Sequence, residues 1–147
     1  MAKPAPLPQP PPPTIDSTVR MLRVVYAVLL VAMLLYVYIS EASQHQLIDM
    51  NRKFLAGISV IAAILAGIAL YVQLKVIRPA LEILQSKPDA IASIARWRSA
   101  SIASYVLGEA VVLFGLCLRF LGGVRAICFP FYIVGLALML FMFPRRP

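Results

Sequence analysis

The sequence predicts an all-α, polytopic integral membrane protein with four transmembrane helices. Its residues are 61% hydrophobic and 14% charged, whereas soluble domains average roughly 45–50% apolar and about 25% charged. Four apolar runs approach the roughly 20 residues that cross a bilayer as a helix; they cover 21–39, 54–76, 102–121 and 126–143. Val24 to Ile39 does not alternate apolar and polar residues as barrel strands do, so helices are favoured.

Residues 1–18 form a proline-rich tail ahead of the four-helix region, which covers 19–143. Seven of the first fourteen residues are prolines, which prevents a helix or a strand ladder, so we expect a disordered, extended tail. Such a tail acts as a semi-rigid spacer or docks onto an aromatic groove of a partner domain.

The run 21–39 has two interpretations. Small residues at Ser40 and Ala42 fit a signal-peptidase site, but the run is longer than the about 7–15 apolar residues of a signal peptide. Tyr36 and Tyr38 near its far end are typical of the aromatic belt of a retained transmembrane helix. We therefore favour a retained helix.

The connection 77–100 is the one long polar segment between two apolar runs. Pro79, which follows Arg78, should end or kink the second helix. Ser86 is placed as the cap of a further helix, with Pro88 in its first turn. This connection therefore contains at least one separate short helix.

That short helix is predicted to be amphipathic and to lie on the membrane surface. Ile91, Ile94 and Trp97 recur every three residues, and Arg96 and Arg98 flank the tryptophan. An aromatic residue with basic neighbours is typical of an interfacial anchor. A regulatory lipid-headgroup site is the alternative, although such sites usually contain 4–8 basic residues.

The distribution of Lys and Arg predicts the orientation. Ten of the fourteen lie in the N-terminal tail with the start of helix one, in the long connection, or at the basic C-terminal tip 144–147, and four lie in the other two connections. By the positive-inside rule, both termini and the long connection are cytoplasmic. The membrane is expected to be the bacterial cytoplasmic (inner) membrane.

Small residues predict where the helices approach closely. Ala63 and Gly67 lie one turn apart in the second helix, and Ser104, Gly108 and Gly115 form a seam along the third. Small side chains at such spacing let another backbone come near. We expect these five residues to be packing positions.

Gly122 and Gly123 predict a tight turn, so that helices three and four form an antiparallel hairpin. Cys117 and Cys128 lie about equally far from this turn. A disulfide is therefore conceivable, but its geometry is strict, and free buried thiols are favoured.

The motifs that carry enzyme chemistry are poorly represented in the sequence. The single histidine, His45, lies in a polar connection, without the Cys or carboxylate neighbours that a metal site uses. A glycine-rich phosphate loop and a Ser/His/Asp set are also absent. We expect no catalytic residues, no metal, no cofactor, no small-molecule substrate and no nucleic-acid partner.

Glu109 is the one acid in an apolar run; the other five lie in polar segments. A carboxylate at membrane depth is costly, so such a residue is a candidate functional site. Without a cationic partner it is expected to stay neutral and to bond a carbonyl or hydroxyl of a neighbouring helix. The candidate partners are Ser59, Tyr71, Ser104 and Tyr105.

The segment Leu107-Gly-Glu109-Ala, followed by Phe114-Gly-Leu116, resembles the proton-carrying helix of the rotor-ring c subunits of F-type and V-type ATPases. Arg78-Pro79 is similar to the polar-loop motif of that family. The resemblance covers helices two and three. It implies that Glu109 is a proton-binding carboxyl and that Arg78 and Pro79 lie in a loop near a coupling partner.

Together these features predict a non-enzymatic accessory or assembly subunit of a membrane complex. Its expected partners are membrane lipid and either other membrane subunits or further copies of itself. The alternatives are a c-subunit-like proton-handling component that uses Glu109, and a membrane adaptor that recruits a partner through its proline-rich tail.

Overall fold

The computed structural model describes residues 14–42, 52–86 and 91–144, and within these ranges it is all-helical. Its elements are α1 (Ile15–Ala42), α2 (Arg52–Val72), a π-helical turn (Gln73–Ile77), α3 (Arg78–Ser86), α4 (Ile91–Phe120) and α5 (Arg125–Phe141). The predictions for the proline tail, for His45 and for the basic tip fall largely or wholly outside the described residues.

Three helices among the described residues are long and apolar enough to cross a membrane. They are α1, the continuous run of α2, the π turn and α3 over Arg52–Ser86, and α4. These are the properties of a membrane protein. The apolar helix α5 is shorter, with 17 residues, which corresponds to about 26 Å.

Pro79 was predicted to end or kink the second helix, and the helix does not end there but continues through a π turn to Ser86. Pro79 has no N–H, and its ring crowds the carbonyl one turn earlier. The wider π turn directly before it, in which the Arg78 N–H donates to the Gln73 carbonyl, makes room for the ring. Ser86 is likewise not a cap of the next helix, because it ends α3 and its hydroxyl donates to the Ile83 carbonyl at 3.0 Å.

The predicted surface helix is also wrong, since residues 91–100 form the first turns of α4. Trp97 is only 2% exposed, and Ile94 is equally buried. Their buried face continues to Ser101 and to Ser104, the first residue of the predicted seam, so one long helix carries the two predicted faces. Arg96 and Arg98 remain exposed.

Helix α4 is the centre of the bundle and contacts every other element. In its most apolar window 44% of residues are buried, against 17% for α1 and 11% for α2 with α3. Helix α1 runs parallel to α4: Tyr26 packs edge-on against Tyr105 near the middle of both helices, and Arg119 donates to the Ser40 carbonyl near their C-terminal ends.

The predicted glycine turn joins α4 to α5. Gly122 has φ 87°, a left-handed conformation that favours glycine. Its N–H donates to the Arg119 carbonyl, and the Gly123 N–H donates to the Leu118 carbonyl. This is a Schellman motif, which satisfies the carbonyls at the helix end.

Candidate functional site

Glu109 lies in the middle of α4 and is bound by α1. The hydroxyl of Tyr36 donates a hydrogen bond of 3.1 Å to Oε1 of Glu109. Both side chains are half-buried, so the pair lies on the flank of the bundle, where α1 meets α4. Within the described residues Glu109 forms no ion pair.

The direction of helical side chains explains this contact. In the parallel α1–α4 pair, Tyr26 lies level with Tyr105 and Ser40 with Arg119, so the Cα of Tyr36 lies beyond that of Glu109. Side chains in helices point back toward the N-terminus. The long tyrosine side chain therefore reaches back to the carboxyl.

None of the four partners expected for Glu109 occupies this position. Ser104 donates to the Ala100 carbonyl of its own helix at 3.0 Å, Tyr105 packs on Tyr26, and Tyr71 is 63% exposed. Ser59 lines an apolar groove. Tyr36 was not among the expected partners, because a tyrosine near the end of an apolar run is typical of the interfacial belt.

Helices α4 and α5 approach closely at three glycines. A Cβ added to Gly115 would lie 2.6 Å from the Tyr132 ring, and one added to Gly135 would lie 2.4 Å from Val112 Cγ2 and 3.0 Å from the Gly108 carbonyl oxygen. Gly115 and Gly108 belong to the predicted seam, whereas Gly135 was not singled out from the sequence. The feature of the sequence that could have identified Gly135 as a packing position is that it is a lone glycine within an apolar run.

The small residues of α2 are placed differently, because they face an open groove. A Cβ on Gly67 would meet nothing within 4 Å, and Ala63 is exposed. Both line an apolar groove of about 620 Å³ between α2 and α5, together with a patch of α4. No other described helix of this chain covers these two residues.

A polar cluster closes the end of the bundle at the α4–α5 turn. Arg119 donates to the carbonyls of Ser40, at 3.4 Å, and Gly123, at 2.9 Å. Glu41 pairs with Arg125 nearby. The Tyr132 hydroxyl is buried without a hydrogen bond within the described residues. These contacts join the C-terminal end of α1 to the hairpin of α4 and α5.

Arg78 and Pro79, predicted to lie in a loop, form the first turn of α3. The exposed Arg78 lines a small cavity together with Trp97. Cys117 and Cys128 are both free thiols, and only Cys128 is buried.

In the described part of the chain, no group of three or more His, Cys, Asp or Glu side chains is arranged to hold a metal ion. At Glu109 the structure shows one hydrogen bond, which the Tyr36 hydroxyl donates to Oε1. No protein-family profile, no curated protein and no solved structure matches this chain.

Proposed function

We propose that this chain is a non-enzymatic subunit of a membrane complex, which packs through α2 against a transmembrane helix of another chain. It spans the bacterial cytoplasmic membrane four times, with both termini in the cytoplasm. The observation that carries the proposal is the open groove beside Ala63 and Gly67.

The composition of this face supports a protein partner. Helix α2 is the least buried of the candidate spans. Its groove side has five small residues between two leucines: Leu55, Ser59, Ala62, Ala63, Ala66, Gly67 and Leu70. Without a hydrophobic driving force between helices in lipid, association depends on close van der Waals contact, which small side chains permit. The groove provides that contact along several turns.

The test compares two glycines of α2 that both have free space around them. Gly67 lines the groove, whereas Gly57 does not, and neither would place a Cβ near another atom. Gly67→Leu should fill the groove and release the chain as a 16.2 kDa monomer in native mass spectrometry of membrane extracts. Gly57→Leu should retain the heavier species of the wild type.

The same mass spectra identify the partner, and two results would contradict the proposal. A heavier species that is a multiple of this chain means that the partner is a second copy. A wild-type protein that is monomeric in lipid nanodiscs, or a Gly67→Leu variant that keeps its partner, contradicts the proposal.

The proposed topology rests on α5 and on the charge distribution. Helix α5 reaches about 26 Å over its 17 residues, close to the about 30 Å of a hydrocarbon core. The excess of Lys and Arg on one side favours a cytoplasmic C-terminus. A reporter fused after Pro147 should be active in the cytoplasm, and an external signal contradicts four spans in this orientation.

Proton handling at Glu109 is the second candidate function. The specific observation is that only Oε1 of the half-buried carboxyl is bonded, by Tyr36. A neutral carboxyl keeps one O–H donor and acceptor capacity, so the other oxygen is available to exchange a proton with a partner chain.

Labelling with a hydrophobic carbodiimide distinguishes proton exchange at Glu109 from a role in packing only, because the reagent reacts with protonated carboxyls. Proton exchange predicts an adduct on Glu109 that decreases reversibly as pH rises, is absent in Glu109→Gln, and persists in Glu41→Gln. A carboxyl that serves only in packing should be labelled to the same extent at every pH at which the protein stays folded.

A further inference from the structure

A small polar cavity of about 100 Å³ lies near the end of the bundle opposite the α4–α5 turn. Four elements surround it: the π turn, α3, the first half of α4 and the residues that end and follow α5. Its lining residues are Gln73, Ile77, Arg78, Leu81, Trp97, Ser101, Tyr105, Phe141, Met142, Phe143 and Pro144. Gln73 and Ile77 of the π turn line it, and such turns are frequent at functional sites.

Hydrogen-bond donors converge on this cavity without partners of their own. Ser101 and Tyr105 are 3% and 2% exposed, and within the described residues neither hydroxyl forms a hydrogen bond. The side chains of Gln73 and Arg78 likewise form none among these residues. Among the described residues, the buried side-chain polar atom without a partner is the Tyr132 hydroxyl at the other end of the bundle, so the hydroxyls of Ser101 and Tyr105 are accessible from the cavity. Two hydroxyls, an amide and a guanidinium therefore line one cavity with donors that are free to bind a ligand.

The hydrogen-bond donors that line the cavity favour a negatively charged ligand. Arg78 supplies a fork of N–H donors that matches a phosphoryl oxygen pair, and the two hydroxyls and the amide of Gln73 add further donors. None of the described lining residues is acidic, so a cation has no counter-charge here. The volume accommodates one tetrahedral oxyanion but not a large solute.

The surroundings indicate where the anion comes from. The apolar walls, formed by Ile77, Leu81 and Phe141, are suited to the glycerol and upper acyl region of a lipid. Arg96 and Arg98 are exposed on the neighbouring turns of α4, and basic pockets between transmembrane helices bind anionic headgroups.

We propose that this cavity is a binding site for one phosphoryl group, held by Arg78 with Ser101 and Tyr105, and that an anionic phospholipid supplies the group. Free phosphate shares this chemistry and is the other source. Arg78 thus binds a ligand directly instead of marking a loop.

Trp97 makes the proposal testable, since it lies in the cavity wall and is the single tryptophan of the chain. The full-length protein is purified in dodecyl maltoside, which contains no phosphate, and is titrated with dioctanoyl phosphatidic acid. We expect a saturable change in Trp97 fluorescence. Dioctanoylglycerol, which has the same acyl chains without phosphate, should give no saturable change.

A parallel titration with inorganic phosphate separates the two sources. Saturation by phosphatidic acid alone assigns the site to lipid, and saturation by both assigns it to phosphate in general. An absent response to both, or an equal response to dioctanoylglycerol, overturns the proposal.

Two arginines provide the matched variants. Arg78→Gln should weaken binding by about tenfold or more, because hydrogen bonds to charged groups are the strong ones. Arg52→Gln, which is exposed at the other end of α2 and lies outside the cavity, should leave the affinity within about twofold. Tyr105→Phe removes one donor with little change of shape and should weaken binding several-fold, which keeps the test valid if Arg78→Gln does not fold. Equal affinities in wild type, Arg78→Gln and Tyr105→Phe contradict the assignment.

Discussion

The hydroxyl of Tyr36 and Oε1 of Glu109 are 3.1 Å apart and join α1 to α4 in the middle of the bundle. The contact links residues 73 positions apart in the chain. The acid that the sequence isolates is therefore an element of helix packing as well as a candidate proton site.

Tyr36→Phe should destabilise the bundle slightly, because it removes this hydrogen bond and keeps the ring. Interhelical hydrogen bonds in membranes contribute about 0.6 kcal/mol on average, so we expect a loss of that order in the free energy of unfolding, measured by steric trapping in lipid. Tyr38→Phe is the matched control, since Tyr38 is 69% exposed on the same helix. Equal effects of the two variants would show that the hydrogen bond contributes nothing.

Gly135→Ala should be among the most destabilising single-methyl changes in the described chain. The added Cβ would lie 2.4 Å from Val112 Cγ2 and 3.0 Å from the Gly108 carbonyl oxygen, and overpacking of this kind costs about 1–3 kcal/mol. Gly57→Ala is the control, because its Cβ would meet nothing within 4 Å. The measurement is again unfolding in lipid.

A double variant tests the cause. Val112→Ala removes the atom nearest to the new methyl group, so the pair Gly135→Ala with Val112→Ala should lose less stability than the sum of the two single variants. Additive losses would mean that the clash with Val112 is not the source.

Gly122→Ala should destabilise the α4–α5 hairpin, because Gly122 adopts φ 87°. An L-residue in this left-handed conformation costs roughly 1–2 kcal/mol, and asparagine tolerates it better than alanine. We therefore expect Gly122→Asn to lose less unfolding free energy than Gly122→Ala. The opposite order would contradict the role of backbone conformation at this turn.

Local features of the sequence predicted the helices and the glycine turn. Apolar runs give the helical, membrane-spanning character because backbone polar groups in lipid must be satisfied internally. Gly122 and Gly123 form the predicted turn because the left-handed conformation is a property of single residues. Such features depend on a few neighbours in the chain.

Features that depend on how the helices are aligned along one another could not be predicted from neighbours in the chain. Tyr36 reaches Glu109 only because α1 is parallel to α4 at one particular offset, which no local pattern encodes. Trp97 has the flanks of a surface anchor, yet its face is continuous with Ser101 and Ser104 and is buried with them. Pro79 predicts an end or a kink, and the helix continues past it after a π turn.

The two arginines at the α4–α5 turn should differ strongly in their contribution to stability. Arg119 donates to the Gly123 carbonyl at 2.9 Å and the Ser40 carbonyl at 3.4 Å, so it joins the end of α1 to the turn. Hydrogen bonds from charged groups contribute about 1.5–3 kcal/mol. Arg119→Met, which keeps much of the apolar stem, should lose free energy of unfolding in that range.

Arg125→Met should lose much less, although Arg125 forms the ion pair with Glu41. The Arg125 side chain is 67% exposed, and exposed ion pairs contribute about 0–1 kcal/mol. Its effect should also shrink at high salt, because added ions screen exposed charges, whereas that of Arg119 should persist. Comparable, salt-sensitive losses for both variants would show that net charge at this end, and not the carbonyl contacts of Arg119, holds α1 against the hairpin.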